Sequence, residues 1–132
     1  MLVIMRHQLT WLCDAYPAEA VGLLIGTADG VVMQCIPARN LADTPRTHFV
    51  LDPRAWLDAD AHAQRHAWHI LALIHSHPDA PARPSPADMV AGALLGQQVR
   101  MVIVQVGAHG MIDMTAWRWD GAIYQQEQLV CH

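Results

Sequence analysis

Ile70-Leu71-Ala72-Leu73-Ile74-His75-Ser76-His77-Pro78, followed after a short loop by Ser85-Pro86-Ala87-Asp88, is the most informative stretch of this chain. The apolar run 70–74 reads as a buried strand leading directly into two histidines separated by one residue. Side chains at i and i+2 of a strand share a face, so both imidazoles can converge on one ion. Beyond the loop a helix start is legible: Ser85 as N-cap, Pro86 at the first helical position, and an acid three residues after the cap. Two histidines and one carboxylate, with no fourth protein ligand nearby, form the pattern of a catalytic zinc site that keeps a water. Taken singly, each residue has a plainer reading, as a packed histidine or as an acid favoured by the helix dipole. The strand, loop and helix start that bring all three together favour the metal.

Working outward, 2–16 reads as a first helix, with Leu2, Met5, Leu9, Leu12 and Cys13 on one stripe. Residues 21–26 and 31–37 read as two strands around the turn Thr27-Ala28-Asp29-Gly30. The polar stretch 40–48 is expected to be a surface loop, and Phe49-Val50-Leu51 a short strand. A second helix opens with Asp52 as N-cap and Pro53 at the first position and runs to about Ala67. The third helix is predicted over 85–98, and 99–106 is a nearly continuous apolar strand of the buried type. Two more strands, 111–118 and 122–130, follow around Asp120-Gly121. Helices and strands in this order predict an α+β domain: a mixed, largely antiparallel sheet flanked by helices. His62, His66 and His69 read as solvated or helix-end histidines.

At 132 residues the chain is most simply one domain, 1–132, large enough to bury a core. All eight basic residues are arginine, so there is no Schiff-base lysine and no P-loop lysine. The arginines are scattered and the net charge is −4, which leaves no basic stripe for nucleic acid. No apolar run reaches membrane length, and the N-terminus carries no secretory signal pattern; a cytoplasmic location is expected. Cys13, Cys35 and Cys131 show no CxxC spacing and read as reduced thiols. Cys131 beside His132 is a weak metal-binding suggestion set aside because chain ends fray.

Activated water needs a partner to take its proton and hand it to a leaving amine. Glu19, alone among acids between the first helix and the apolar strand Val21-Gly22-Leu23-Leu24-Ile25-Gly26, is the best candidate, since partial burial there raises a carboxyl pKa. On these residues the chain resembles the JAMM (MPN+) metallopeptidases. Their signature is an upstream Glu, then His-Ser/Thr-His-Pro, then Ser-x-x-Asp. Glu19, His75-Ser76-His77-Pro78 and Ser85-Pro86-Ala87-Asp88 match it without departure. The flanks Pro17-Ala18-Glu19, Asn40, Phe49, Asp52-Pro53 and Ala82-Arg83-Pro84 also resemble the small prokaryotic branch.

The resemblance implies a JAMM/MPN-like fold with His75, His77 and Asp88 ligating Zn(2+), and Glu19 as general base and then general acid. Ser85 would donate a hydrogen bond toward the tetrahedral oxyanion or the water. Ser76, pointing to the opposite face, is expected to pack or to support the site. Arg83 reads first as a solvated loop arginine and otherwise as a partner for a substrate carboxylate. The substrate implied is the C-terminal tail of a small ubiquitin-like sulfur-carrier protein. Its tail would lie extended along a strand edge. The rival readings are an isopeptidase that removes ubiquitin-like modifiers from proteins and a non-catalytic MPN-type scaffold. A homo-oligomer is left open.

Overall fold

A computed structural model describes residues 1–132. Six strands form one sheet: β2 (Val21–Gly26), β3 (Val32–Ala38), β4 (His69–Pro78), β5 (Arg100–Gly107), β6 (Gly110–Trp119) and β7 (Tyr124–Glu127). Their order is β3-β2-β4-β5-β6-β7. Only β4 and β5 run parallel; every other neighbouring pair is antiparallel. That single parallel pair requires a crossover, supplied by helix α2 (Pro86–Leu95). The fold is therefore α+β with a mixed, mainly antiparallel sheet, as the element order implied.

Helix α1 (Pro53–Arg65) starts where expected: the Asp52 carboxylate accepts from Arg54 N at 3.0 Å, and Pro53 stands at the first position. Its small buried residues Ala59 and Ala63 let it lie close against the sheet. The Ser85 cap and Pro86 likewise open α2. That helix stops at Leu95, short of the predicted Gln98, because Gly96 adopts φ 81° and ends it. No helix is long and apolar enough to cross a membrane.

The N-terminal segment departs from the helix predicted over 2–16. Leu2–Ile4 is a strand, β1, and Arg6–Cys13 is a 3-10 helix. β1 pairs in parallel with β8 (Leu129–Cys131), Leu2 opposite Leu129. Leu2 and Ile4 are fully buried and Val3 is half-buried, the alternation of a strand. The helical stripe misled because Met5, on it, is exposed, and because the partner that makes Leu2-Val3-Ile4 a strand lies at the far end of the chain. Tertiary pairing outweighs local periodicity here.

The same pairing splits the strand predicted over 122–130. β7 extends the large sheet, and β8 leaves it for β1. Phe49-Val50-Leu51 also differs from expectation: only Leu51 pairs, in an isolated bridge with Asn40.

Two cores cover the two faces of the sheet. One holds Leu2, Ile4, Leu9 and Leu12 against Leu24, Ile74, Val102 and Val104. The other packs α1 through Ala59 and Ala63 onto Val21, Leu23, Leu73, Met101 and Ile103. Strand parity then places the key residues. Leu73 faces the helix side, so His75 and His77 follow it there, while Ser76 turns to the opposite face with Ile74.

Candidate active site

Strand β4 is central, and it carries His75 and His77 to its buried C-terminal end. The two Nε2 atoms lie 3.0 Å apart. Asp88, in the first turn of α2, places its carboxylate oxygens 3.2 Å from His75 Nε2 and 3.2 Å from His77 Nε2. Four ligands at about 2.0–2.1 Å around a zinc ion are separated by tetrahedral edges of roughly 3.3 Å. The Nε2–Nε2 edge of 3.0 Å lies near that figure, and each Nε2 has its own Asp88 oxygen at 3.2 Å, Oδ1 for His75 and Oδ2 for His77, so two imidazoles and a carboxylate suit the ion.

Local chemistry holds each side chain of the cluster in place. His77 Nδ1 faces the Pro81 carbonyl at 2.8 Å, which puts the proton on Nδ1 and leaves the Nε2 lone pair toward the cluster. His75 Nδ1 is buried with no hydrogen-bond partner. Packing orients that ring instead, against Phe49 with centroids 4.5 Å apart. Asp88 Oδ2 accepts from Ser85 N at 2.9 Å, and Asp88 N donates to Ser85 Oγ at 3.2 Å. This capping box fixes the carboxylate while its backbone starts the helix.

Electrostatics separates the two carboxylates. Burial works against charge on Asp88, but its contacts with His75, His77 and Ser85 N–H outweigh burial and hold it well below the usual carboxylate range. It is an anion at neutral pH. Glu19 behaves oppositely: burial is the largest influence and pushes its carboxyl up to about 7, with His77 lowering it and Asp88 raising it. Burial also lowers the His75 pKa and keeps that ring neutral. A carboxylate that stays ionised beside an acid poised near neutrality is a pairing that suits metal-assisted hydrolysis.

Glu19 and the two histidines come within 4.8 Å of one another and by themselves could hold a metal. Asp88 lies 3.2 Å from the Nε2 of each ring and is the anion of the two acids. The cluster thus holds two acids beside the two imidazoles, one ionised and one raised toward neutrality.

The backbone around Glu19 is tied to the site from three sides. Its N–H donates to the Pro45 carbonyl at 2.6 Å, and its carbonyl accepts from Asn40 Nδ2 at 3.0 Å. Asn40 Nδ2 also donates to the His48 carbonyl, and its Oδ1 accepts from Ala42 N and Val50 N. One side chain thus fastens the 40–50 loop beside Glu19. Ser76 supplies the third tie: its Oγ accepts from Ala20 N at 2.8 Å in a fully buried setting, and Ser76 N donates to Ala20 O at 3.0 Å. The serine between the two histidines is therefore turned to the opposite face, as its strand parity implied, and ties β4 to the backbone next to Glu19. Ser76→Ala leaves the Ala20 N–H buried and unpaired. That is expected to cost about 1–3 kcal/mol of stability, readable by urea denaturation.

Sequence reasoning had Asn40 only as a flanking match, without a role. No motif spacing reveals that its amide reaches four backbone groups; the loop fold does. The same holds for Tyr16, whose hydroxyl donates to Asp79 at 2.6 Å and links the segment before Glu19 to the turn after His77. His62, His66 and Trp68 stack on one another away from the cluster, consistent with helix-end histidines. Cys13, Cys35 and Cys131 are free thiols.

The cluster opens into a cleft of about 720 Å³, lined by Glu19, His77, Ser85 and Asp88 on one part and by Arg46, Phe49, Arg83, Val90 and Leu94 around them. An α+β fold with a buried His-His-Asp triangle, a raised glutamate and an open cleft defines a protein of the JAB/MPN class. The family model described as prokaryotic homologs of the JAB domain matches residues 2–120, and the chain belongs to that family.

Over 73 residues it is 41% identical to the probable TtuB-protein conjugate cleaving protease of Thermus thermophilus, covering 55% of this chain and 48% of that protein. Over another 73-residue match it is 34% identical to tail tip assembly protein K of Escherichia phage N15, covering 55% of this chain and 27% of that protein. These two matches thus span less than half of either relative. A third relative, the desampylase of Haloferax volcanii, is 28% identical over 124 residues, 93% of this chain and 85% of that protein.

Among solved structures, a protein from Desulfitobacterium hafniense superposes with a TM-score of 0.77 at 27% identity, over 100% of this chain and 93% of that one. A Salinibacter ruber protein gives 0.72 at 31%, over 100% and 92%. A JAB1/MPN domain protein from Archaeoglobus fulgidus shares the fold, with a TM-score of 0.62 at 21% identity over 99% and 97%.

Proposed function

We propose that this chain is a zinc-dependent peptidase that hydrolyses a peptide bond at the C-terminal tail of a small ubiquitin-like sulfur-carrier protein. The observation that carries the reading is the pairing of an ionised Asp88, set among His75 and His77, with a Glu19 carboxyl raised to about 7 at the same cleft. His75, His77 and Asp88 would hold a zinc ion, which when bound would supply Lewis-acid activation of water and of the scissile carbonyl. Glu19 in its ionised form accepts the proton of the attacking water and then returns it to the leaving amine nitrogen. Ser85 closes the capping box through its oxygen lone pairs and keeps its hydroxyl proton free to donate to the developing oxyanion.

A second reading has support of its own. The Thermus and Haloferax relatives are named as a conjugate-cleaving protease and a desampylase, which favours an isopeptidase releasing ubiquitin-like modifiers from proteins. A non-catalytic scaffold has less support, since every signature residue stands in place. Product masses separate the two enzyme readings: tail trimming frees a short peptide, and deconjugation frees two proteins. Zinc-loaded protein that leaves both kinds of substrate intact, with and without chelator, would sink the hydrolase reading.

The pH profile offers a further check. The base works only when ionised, so kcat/KM is expected to fall about tenfold per unit as pH drops below about 7. Bound zinc, measured at each pH, is expected to stay constant across the first unit of that decline. A profile flat from pH 8 to pH 5 would remove Glu19 from the role.

A further inference from the structure

The cleft contains two cations that the hydrolytic chemistry leaves unused. Arg46 and Arg83 are the only arginines lining it, in a chain without lysine and with net charge −4. Neither guanidinium has an ion pair or a side-chain hydrogen bond, whereas Arg100 is paired with Glu127 at 3.1 Å. The acids at the same cleft are already engaged, Asp88 with the imidazoles and Glu19 with proton transfer.

Backbone ties register both arginines to the reacting groups. Arg46 directly follows Pro45, whose carbonyl accepts from Glu19 N at 2.6 Å. Arg83 N donates to the Pro81 carbonyl at 2.8 Å, the same oxygen that orients His77. Pro81 and Pro84 flank Arg83 and restrict that loop. Each guanidinium is thus carried on a segment hydrogen-bonded to the general base or to a ligand. A planar guanidinium is suited to bidentate binding of a carboxylate.

We propose that Arg46 and Arg83 form an anion-recognition pair that selects scissile bonds whose leaving side ends, a residue or two later, in a free carboxylate. This rests on the hydrolase reading above and chooses between its two forms. A short C-terminal extension offers such a carboxylate; an isopeptide bond to a lysine in the middle of a protein does not. Neutralisation by two arginines then makes the carboxylate part of the recognition, and the cleft acts on chain ends.

The test uses full-length zinc-loaded protein and a small ubiquitin-like carrier extended by two residues beyond its terminal glycines. The carrier is prepared by ligation as the free acid and as the C-terminal amide. The free acid is expected to be cut with kcat/KM at least about tenfold higher than the amide, the worth of a charged hydrogen-bonded pair. In Arg46→Gln/Arg83→Gln the preference is expected to disappear, with kcat/KM on the amide and zinc content unchanged. Equal rates on acid and amide in the wild-type protein, or a preference that survives both substitutions, overturn the arginine pair and leave the hydrolase reading standing. Absence of any Glu19-dependent cleavage of either carrier overturns the arginine pair together with the tail-trimming form of that reading, and a lysine-linked conjugate left intact by the same preparation overturns the hydrolase reading as well.

Discussion

Glu19→Gln is expected to lower turnover by about 10²–10⁴-fold, the range associated with loss of a positioned general acid–base group. The amide is isosteric with the acid but can neither accept nor return a proton near neutrality. Zinc content is expected to stay at the wild-type level, because the proposed ligands His75, His77 and Asp88 contact one another at 3.0–3.2 Å without Glu19. The acid limb of the pH profile is expected to vanish with the substitution. Single-turnover cleavage, with metal measured on the same samples, separates this outcome from simple misfolding. A residual rate close to wild type would mean that another group moves the proton.

Asp88→Asn is expected to have a comparable effect on activity by a different route. The carboxylate is held ionised at the centre of the cluster despite burial, so its negative charge is the strongest inducement for a cation there. An amide keeps an acceptor for Ser85 N and preserves the helix start, but removes that charge. Zinc affinity is expected to fall by more than the 10–100-fold seen for outer-shell partners. Activity at limiting zinc then drops at least about 10³-fold, since Lewis-acid assistance is worth several kcal/mol. Excess zinc is expected to restore part of the Asp88→Asn activity and none of the Glu19→Gln activity. Circular dichroism matching the wild-type spectrum checks that α2 still forms.

Much of this site was legible before any coordinates because its chemistry is written in local periodicities. The strand repeat of two puts His75 and His77 on one face and Ser76 on the other. The Ser85-Pro86 cap announces the helix that presents Asp88. Features that depend on distant pairing were not legible. Leu2-Val3-Ile4 followed a helical stripe as well as a strand pattern, and only Leu129–Cys131 decides between them. Phe49-Val50-Leu51 looked strand-like, yet Asn40 binds Val50 N with its side chain and leaves a single bridge at Leu51. Arg46 carries no motif at all; its nearness to Glu19 exists only through the Pro45 carbonyl. The helix predicted to Gln98 ends early because Gly96 takes a left-handed conformation, a choice the residue type permits but does not compel.

Two buried carboxylates at one cluster with opposite tasks is the central claim, and metal stoichiometry tests it most directly. Inductively coupled plasma mass spectrometry on wild-type, Glu19→Gln and Asp88→Asn proteins, each loaded with zinc and desalted, is the measurement. One zinc per chain is expected for the wild type and for Glu19→Gln, with a marked deficit for Asp88→Asn. Loss of zinc from Glu19→Gln with full retention by Asp88→Asn would contradict the assignment and make Glu19 the third ligand.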